Sequence, residues 1–306
     1  MNQTSSSQQQ AATRTGVFNA LGAYVMWGVA PMYFKLLMDI GADEILMHRI
    51  IWSSLFLLVL VSVMRKWHAL VTLCQQPKLV LELALSAAIL ALNWLLFIWA
   101  VNNDHLLDAS LGYFINPLFN VALGMLFFSE RLRRNQFIAV GLALLGVLVQ
   151  LFTIGSIPVI SLALASSFAT YGVLRKKMQV DSFVGLLVES LLMLPFALFY
   201  WYFFVDSPTA DLRVNSHHLN VTLALAGVVT TAPLLCFTAA AKRLTLSSLG
   251  FFQYIGPSIM FALAVFYYQE SMQLAELITF IFIWSALALY SLDSFNYMRK
   301  GKQVLS

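Results

Sequence analysis

The sequence predicts an all-α integral membrane protein with ten transmembrane helices, built as two inverted five-helix repeats (5+5), with both termini in the cytoplasm. Three observations support this prediction. The chain is 60% hydrophobic and only 10% charged, whereas a soluble domain has about 45–50% apolar and about 25% charged residues. The apolar residues fall into ten runs, and the two halves of the chain share a pattern of prolines and glutamates. A protein whose surface is mostly covered by lipid needs few charged residues, which explains this composition.

Each apolar run is close to the length of a membrane-spanning helix, which is about 20 residues for roughly 30 Å of hydrocarbon. The predicted spans are 17–38, 44–64, 79–101, 106–128, 136–153, 157–174, 182–204, 218–241, 246–268 and 273–293. The corresponding units are a disordered tail at 1–16, a first repeat at 17–153, a second repeat at 157–294 and a tail at 295–306. Spans 136–153 and 157–174 are short and could form one long helix, but Gly155, Ser156 and Pro158 favour a tight turn.

The basic residues predict the orientation of the chain. If the N-terminus is inside, 15 of the 18 Lys and Arg residues lie in cytoplasmic segments, as the positive-inside rule requires. Arg213 alone lies in an outside loop, and Lys35 and Arg49 lie within spans or at their edges. Every cytoplasmic segment obeys the rule by itself. The rule therefore also checks the number of spans, because one missed helix would place every later loop on the wrong side of the membrane.

A shift of 140 residues aligns the two halves. Pro117 then falls on Pro257, and thirteen residues later Glu130 falls on Glu270. Since each half has an odd number of spans, the halves must lie in the membrane in opposite orientations. Inverted repeats are a frequent architecture of secondary transporters, which bind their solute near the midplane at the repeat interface. Channels and membrane enzymes can also be duplicated, so this alternative stays open.

These motifs resemble a known family. The ten-span plan, Trp27-Gly28 early in span one, and the Pro-then-Glu pattern that closes spans four and nine are similar to the EamA-type branch of the drug/metabolite transporter superfamily. Residues 24–35 and 42–53 resemble more narrowly one subgroup of permeases from Gram-negative bacteria. The resemblance covers essentially the whole chain. It implies an inner-membrane permease or exporter of a small metabolite, and it supplies no binding residue.

Two charged residues are predicted inside the membrane, where an ionisable side chain is costly and marks a functional site by default. Arg49 lies in the outer part of span two, and Glu189 lies in the inner part of span seven at the aligned position. Each is about 8–10 Å from its own surface by the helical rise, so we expect no direct pair between them. Arg49 could instead be an interfacial anchor. His48, beside it, and Glu189 are the candidate proton carriers, and uncoupled transport is equally allowed.

Uncharged polar and aromatic residues inside the spans complete the candidate site. Asn116 precedes Pro117, which frees a backbone carbonyl one turn earlier for a cavity. Buried amides also bridge neighbouring helices, and aromatic residues often simply pack, so both alternatives remain. The candidate substrate-binding residues are Arg49, His48, Trp27, Asn93, Tyr113, Asn116, Tyr171, Glu189, Gln253 and Tyr254.

The sequence predicts a secondary transporter that works by alternating access on a small solute, amino-acid-like or anionic. No Gly-Lys-Ser/Thr phosphate loop occurs, so we expect no ATP-binding subunit, and we expect no cofactor, metal, catalytic residue or nucleic-acid partner. The expected partners are the solute and the lipid bilayer. An intramembrane enzyme and a regulatory or structural membrane protein are the alternatives, and a solute flux in proteoliposomes would exclude both.

Overall fold

The computed structural model describes residues 2–102, 106–154, 158–178, 180–205, 209, 211–269 and 274–303, and these residues are almost entirely helical. The helices are α1 (Asn2–Phe34), α2 (Ala42–Val63), α3 (Trp67–Cys74), α4 (Pro77–Asn102), α5 (Leu106–Phe128), α6 (Arg134–Ile154), α7 (Val159–Lys177), α8 (Ser182–Phe204), α9 (His217–Ala241), α10 (Leu246–Gln253), α11 (Ile255–Ala262) and α12 (Leu274–Gln303). A 3-10 turn (Lys35–Leu37) follows α1, and a π-helical turn (Leu263–Tyr267) follows α11.

Within the described residues, nine helical segments are long and apolar enough to cross a membrane. Together α10, α11 and the π-helical turn make up one of them, Leu246–Tyr267. The predicted span 157–174 corresponds to α7, which is not among the nine. Its last turn carries Arg175, Lys176 and Lys177, and these charges lower the mean hydropathy of a helix of only 19 residues. Helix α6 ends before α7 begins, so the two are separate helices.

The first helix begins earlier than the sequence predicts. Residues 2–16, which the sequence assigns to a disordered tail, are helical and continuous with the first predicted span. Side chains near the end of this stretch fit the helix, since Thr15 Oγ1 donates to the Ala11 carbonyl. Gly16 packs closely on the segment after α9, where a Cβ would lie 2.9 Å from Arg243 Cβ. Likewise, α12 runs past residue 295 to Gln303. The predicted boundaries mark where the apolar runs end, whereas the helices continue beyond them.

The packing of the helices brings both halves of the chain together. Helix α2 packs against α8 and α9, and α4 packs against α7 and α8. Helix α1 packs against α9 and α11, while α5 packs against α7 and α10. Helices α6 and α12 pack against each other. Large apolar side chains remain on the outside, including Phe152 with 81% and Phe196 with 77% of its surface exposed, as a lipid-facing surface requires.

Two non-glycine residues at a spacing of 140 adopt the left-handed backbone conformation. Ser129 has φ 52° and Gln269 has φ 55°, and each directly precedes a glutamate of the Pro–Glu pattern. Glu130 then accepts hydrogen bonds from the backbone N–H groups of Leu246, at 2.6 Å, and Ser247, at 2.9 Å. It thus stabilises the first turn of α10, where the N–H groups lack intrahelical partners. Glu270 lies outside the described residues.

Candidate functional site

A narrow cavity lies between α2, α4, α8 and α9. Its apolar lining residues are Ile50, Leu57, Leu90, Trp94, Leu186, Met193 and Leu234. Its polar lining residues are Arg49, Ser53, Glu189, Ser190, Thr230 and Thr231. The open space is about 10 Å3, close to the minimum that one water molecule requires. The four helices therefore surround a narrow, largely apolar site that contains both predicted intramembrane charges.

Arg49 lies in the wall of this cavity, about 10 Å along α2 from Ala42 by the helical rise. Its Nε donates a hydrogen bond to Thr230 Oγ1 at 2.9 Å. Its guanidinium carbon lies 4.7 Å from the centre of the Trp94 ring, a favourable cation–π arrangement. Among the described residues, no carboxylate forms an ion pair with Arg49. The Phe34 ring centre lies 5.7 Å away, so the cation has a hydroxyl and two aromatic rings as partners.

Glu189, on α8, lines the same cavity and is 1% exposed. Its Oε1 accepts hydrogen bonds from Ser86 Oγ and from Arg175 Nη1, the latter at 3.3 Å. Its Oε2 accepts a hydrogen bond from the Tyr171 hydroxyl at 3.3 Å. The carboxylate is therefore compensated by one cation and two hydroxyl groups. As predicted, Arg49 and Glu189 do not form an ion pair with each other.

Arg175 is the partner that the sequence analysis misses. It is counted among the cytoplasmic cations because it begins a run of three basic residues, yet its side chain is only 1% exposed. Its Nε and Nη2 are buried without a hydrogen-bond partner in the described part of the chain. Such a donor typically costs about 1–3 kcal/mol, and more when it is charged. The available signal is its spacing from Tyr171, since residues four apart share one face of a helix.

His48 lies outside the cavity lining, in the N-terminal part of α2. Trp52 Nε1 donates a hydrogen bond to His48 Nδ1 at 3.2 Å, which assigns the ring proton of the neutral form to Nε2. That nitrogen is buried without a hydrogen-bond partner among the described residues, 4.0 Å from Glu44 Oε1. The ring packs edge-on against Trp201, with 4.6 Å between the ring centres. His48 therefore belongs to the contact between α2 and α8, and it is separate from the residues that line the cavity.

Two of the predicted aromatic residues, Trp27 and Tyr171, belong to one cluster in the bundle core. The Trp27 ring centre is 5.9 Å from Phe237 and 6.0 Å from Phe168. Tyr171 stacks on Phe237 at 6.1 Å and also binds Glu189 through its hydroxyl. Tyr171 thus links the cluster to the cavity, whereas Trp27 packs within the cluster. A third, Tyr113, keeps 42% of its surface exposed, with Phe97 as its ring neighbour.

The remaining polar candidates bridge helices. Asn93 donates from Nδ2 to the Leu164 carbonyl at 2.9 Å and to Ser167 Oγ at 2.8 Å. Asn116, Gln253 and Tyr254 lie where α5 meets α10. Asn120 Nδ2 donates to Asn116 Oδ1 and Gln253 Oε1, and the Tyr254 hydroxyl donates to the Phe114 carbonyl. None of these four candidates lines the described cavity, so the structure places them in helix–helix contacts.

The chain is similar to known membrane proteins over most of its length. Residues 14–152 match the EamA-like transporter family. Protein RarD of Escherichia coli (strain K12) is 55% identical over 288 residues, which cover 94% of this chain and 97% of that protein. A protein named "Uncharacterized transporter" from Vibrio cholerae serotype O1 is 53% identical, covering 93% of this chain and 94% of that protein. A solved crystal structure, 18% identical, shares the fold with a TM-score of 0.71 over 94% of this chain and 99% of that chain.

These comparisons confirm the family resemblance that the sequence motifs predict. The similarity to proteins named RarD also confirms the narrower resemblance of the N-terminal stretches. Together with the apolar helices, they show a multi-pass protein of the bacterial inner membrane and, in general terms, a membrane transporter. The chain belongs to the EamA-like transporter family, in which it is similar to the proteins named RarD.

Proposed function

We propose that this chain is a secondary transporter that exports a small solute with an acidic group by alternating access, and that Arg49 binds that acidic group. The observation that carries the proposal is the charge balance of the cavity. Glu189 has Arg175 as its counter-ion, whereas Arg49 has no anionic partner among the described residues. Counting Arg175, which pairs with Glu189 but is not itself a lining residue, the charges at the cavity are positive on balance. Charge interactions are stronger there than in water.

The chemistry of Arg49 favours a carboxylate or phosphate as the bound group. A guanidinium stays charged in proteins and presents a planar fork of donors that fits either group with two parallel hydrogen bonds. The hydroxyls of Thr231 and Ser190, which line the same cavity, can add further hydrogen bonds. Most of the rest of the wall is apolar and consists of leucines, Ile50, Met193 and Trp94. The proposed solute accordingly has an acidic head and an apolar body.

Several observations support two inverted repeats with ten spans. Exchanging the halves pairs α1 with α7, α2 with α8, α4 with α9, α5 with α10–α11, and α6 with α12. If the halves are equivalent, the contact between α1 and α9 should have a counterpart between α7 and α4. The contact between α2 and α9 should likewise have a counterpart between α8 and α4. All four contacts occur. Ser129 and Gln269, the two left-handed residues 140 positions apart, are also equivalent under this exchange.

The two charged residues follow the repeat relation as well. Arg49, on the second helix of its repeat, bonds to Thr230 on the third helix of the other repeat. Glu189, again on a second helix, bonds to Ser86 on the third helix of the opposite repeat. The charges thus mark the interface between the repeats, which is the position of the solute site in inverted-repeat transporters. With both termini in the cytoplasm, Arg49 faces the outer half and Glu189 the inner half.

Alternating access requires that contacts close each side of the cavity in turn. On the outer side, Thr209 Oγ1 donates to both carboxylate oxygens of Glu44 at 2.8 and 2.9 Å. On the cytoplasmic side, Lys66 Nζ binds Asp181 Oδ2 at 2.6 Å. We infer that the small open volume corresponds to an occluded arrangement, with both sets of contacts formed. Opening either side requires one of them to separate.

The test begins with the solute. Cells that lack the protein and cells that overproduce it should differ in the metabolites they retain, and the solute depleted by overproduction is then supplied to proteoliposomes. The proposal expects flux of that solute, and it expects the solute to carry an acidic group. A transported cation, or the absence of any flux from well-folded protein, would contradict it.

A further inference from the structure

We propose that Arg175 is a second carboxylate-binding site, on the cytoplasmic side of the cavity, and that Glu189 weakens the binding of the solute there. The inference deepens the proposed function, since it rests on a solute with an acidic group and gives that group an inner site before it reaches Arg49.

The first observation is an unused pair of donors. A guanidinium carries five N–H groups and no acceptor. Within the described residues, Arg175 donates one hydrogen bond, from Nη1 to Glu189 Oε1 at 3.3 Å. Its Nε and Nη2 have no acceptor in the described part of the chain, although both atoms are buried. Buried donors are normally satisfied by protein or water.

The second observation is the geometry of those two atoms. Nε and Nη2 lie on the same edge of a guanidinium, with their N–H bonds nearly parallel. This edge is one of the two that bind a carboxylate through a pair of parallel hydrogen bonds. Glu189 binds at Nη1, so this edge has no acceptor in the described part of the chain. The unsatisfied donors are thus arranged as a complete carboxylate-binding fork.

The third observation is the space that the chain provides for the guanidinium. A Cβ at Gly185 would lie 2.7 Å from Nη1 and 3.0 Å from Nη2 of Arg175. Any larger side chain at this position of α8 would displace the charged group. Gly185 therefore lets the guanidinium lie against the α8 backbone, one turn before Glu189.

The surroundings of Arg175 carry an excess of positive charge. Lys242, just beyond α9, donates from Nζ to the Val180 carbonyl. Burial and, to a smaller extent, the nearby charge of Arg175 lower the pKa of Lys242 to about 8. A carboxylate arriving from the cytoplasm is attracted by these cations. Glu189 opposes it by repulsion, which keeps the inner site weak enough for the solute to move on.

The test uses benzoate, a carboxylate with an apolar body, and the purified full-length protein. Binding is measured by calorimetry, with benzylamine as the matched cationic control. Arg49→Gln removes the first site and serves as the background. Adding Glu189→Gln to this background should tighten benzoate binding by at least about ten-fold, the effect expected from a charge-assisted contact. Adding Arg175→Gln as well should abolish it.

Other outcomes separate the two proposals. Equal benzoate affinity with and without Glu189→Gln, or binding that persists after Arg175→Gln, would overturn the inner site, and ordered water would then be the partner of the empty edge. A lower benzoate affinity of Arg49→Gln than of the wild type tests only the role of Arg49 in the proposed function. If Arg175→Gln does not fold, Arg175→Lys replaces it, since lysine keeps the charge but lacks the two-donor edge. Undiminished affinity in Arg175→Lys would also contradict the proposal.

Discussion

Substituting alanine for Gly227 should force α2 away from α9 and thereby disturb the site at Arg49. A Cβ at Gly227 would lie 2.4 Å from the carbonyl carbon of Trp52 and 2.6 Å from its oxygen. These are backbone atoms of α2, so no side-chain rotation relieves the contact. Since carbon atoms pack at about 3.5–4.0 Å, the helices would have to separate by about 1 Å.

The separation should affect both stability and transport. Ser53 Oγ donates to the Gly227 carbonyl at 3.3 Å, and the bond between Arg49 and Thr230 joins the same two helices. Overpacking of this kind typically costs about 1–3 kcal/mol. We therefore expect a lower Tm for purified Gly227→Ala and reduced flux per folded molecule.

Gly141 offers a matched control. No atom of the described residues lies within 4 Å of a Cβ added there. Gly141→Ala in helix α6 should therefore leave the Tm unchanged or raise it, because alanine favours a helix by about 0.5–1 kcal/mol over glycine. The reasoning is refuted if Gly227→Ala has the Tm and flux of the wild type, or if both variants lose stability equally.

Two further predictions concern orientation and repeat packing. In a cysteine-free background, Arg213→Cys should react with an impermeant thiol reagent added outside the cell, and Arg134→Cys should react only after the membrane is opened; the reverse pattern would invert the topology. Glu130→Gln should lower stability by about 1–2 kcal/mol, because a neutral amide binds the N–H groups at the start of α10 less strongly than a carboxylate. Chemical unfolding measures this loss against Glu82→Gln, whose carboxylate has no hydrogen bond to another described residue, and equal stability of both variants would contradict the role of Glu130.

The sequence predicts the membrane architecture well because its signals are local. Apolar runs must cover the thickness of the bilayer, and the comparisons confirm a multi-pass inner-membrane protein of the predicted family. The ends of the helices are harder to predict from the sequence. Helix α1, for example, begins at Asn2. Polar residues continue a helix into water without any change in the chain's hydrogen bonding, so hydropathy does not mark its end. The orientation and the repeats stay predictions.

Of the residues that line the cavity of the candidate site, the sequence predicts only the charged ones. The cost of an ion in lipid identifies Arg49 and Glu189, and both line one cavity. Their partners depend on how each helix is rotated about its axis, which packing decides and sequence spacing does not. Thus Ser86 and Thr230 are missed, and Arg175 is taken for a loop cation. Asn116 and Gln253 are predicted to bind the solute, yet they lie in helix–helix contacts. An amide inside a span has the same sequence pattern whether it faces a cavity or bridges two helices.

The measurement that tests the central claim most directly is solute flux per folded molecule in proteoliposomes with Arg49 variants. Lysine keeps the charge but loses the fork of donors, so Arg49→Lys should fold normally and transport at a rate lowered about ten-fold, the loss of one charge-assisted hydrogen bond. Arg49→Ala should lose transport almost completely, while Arg213→Ala, in the exposed loop before α9, should transport normally. Wild-type flux from folded Arg49→Ala would contradict the account.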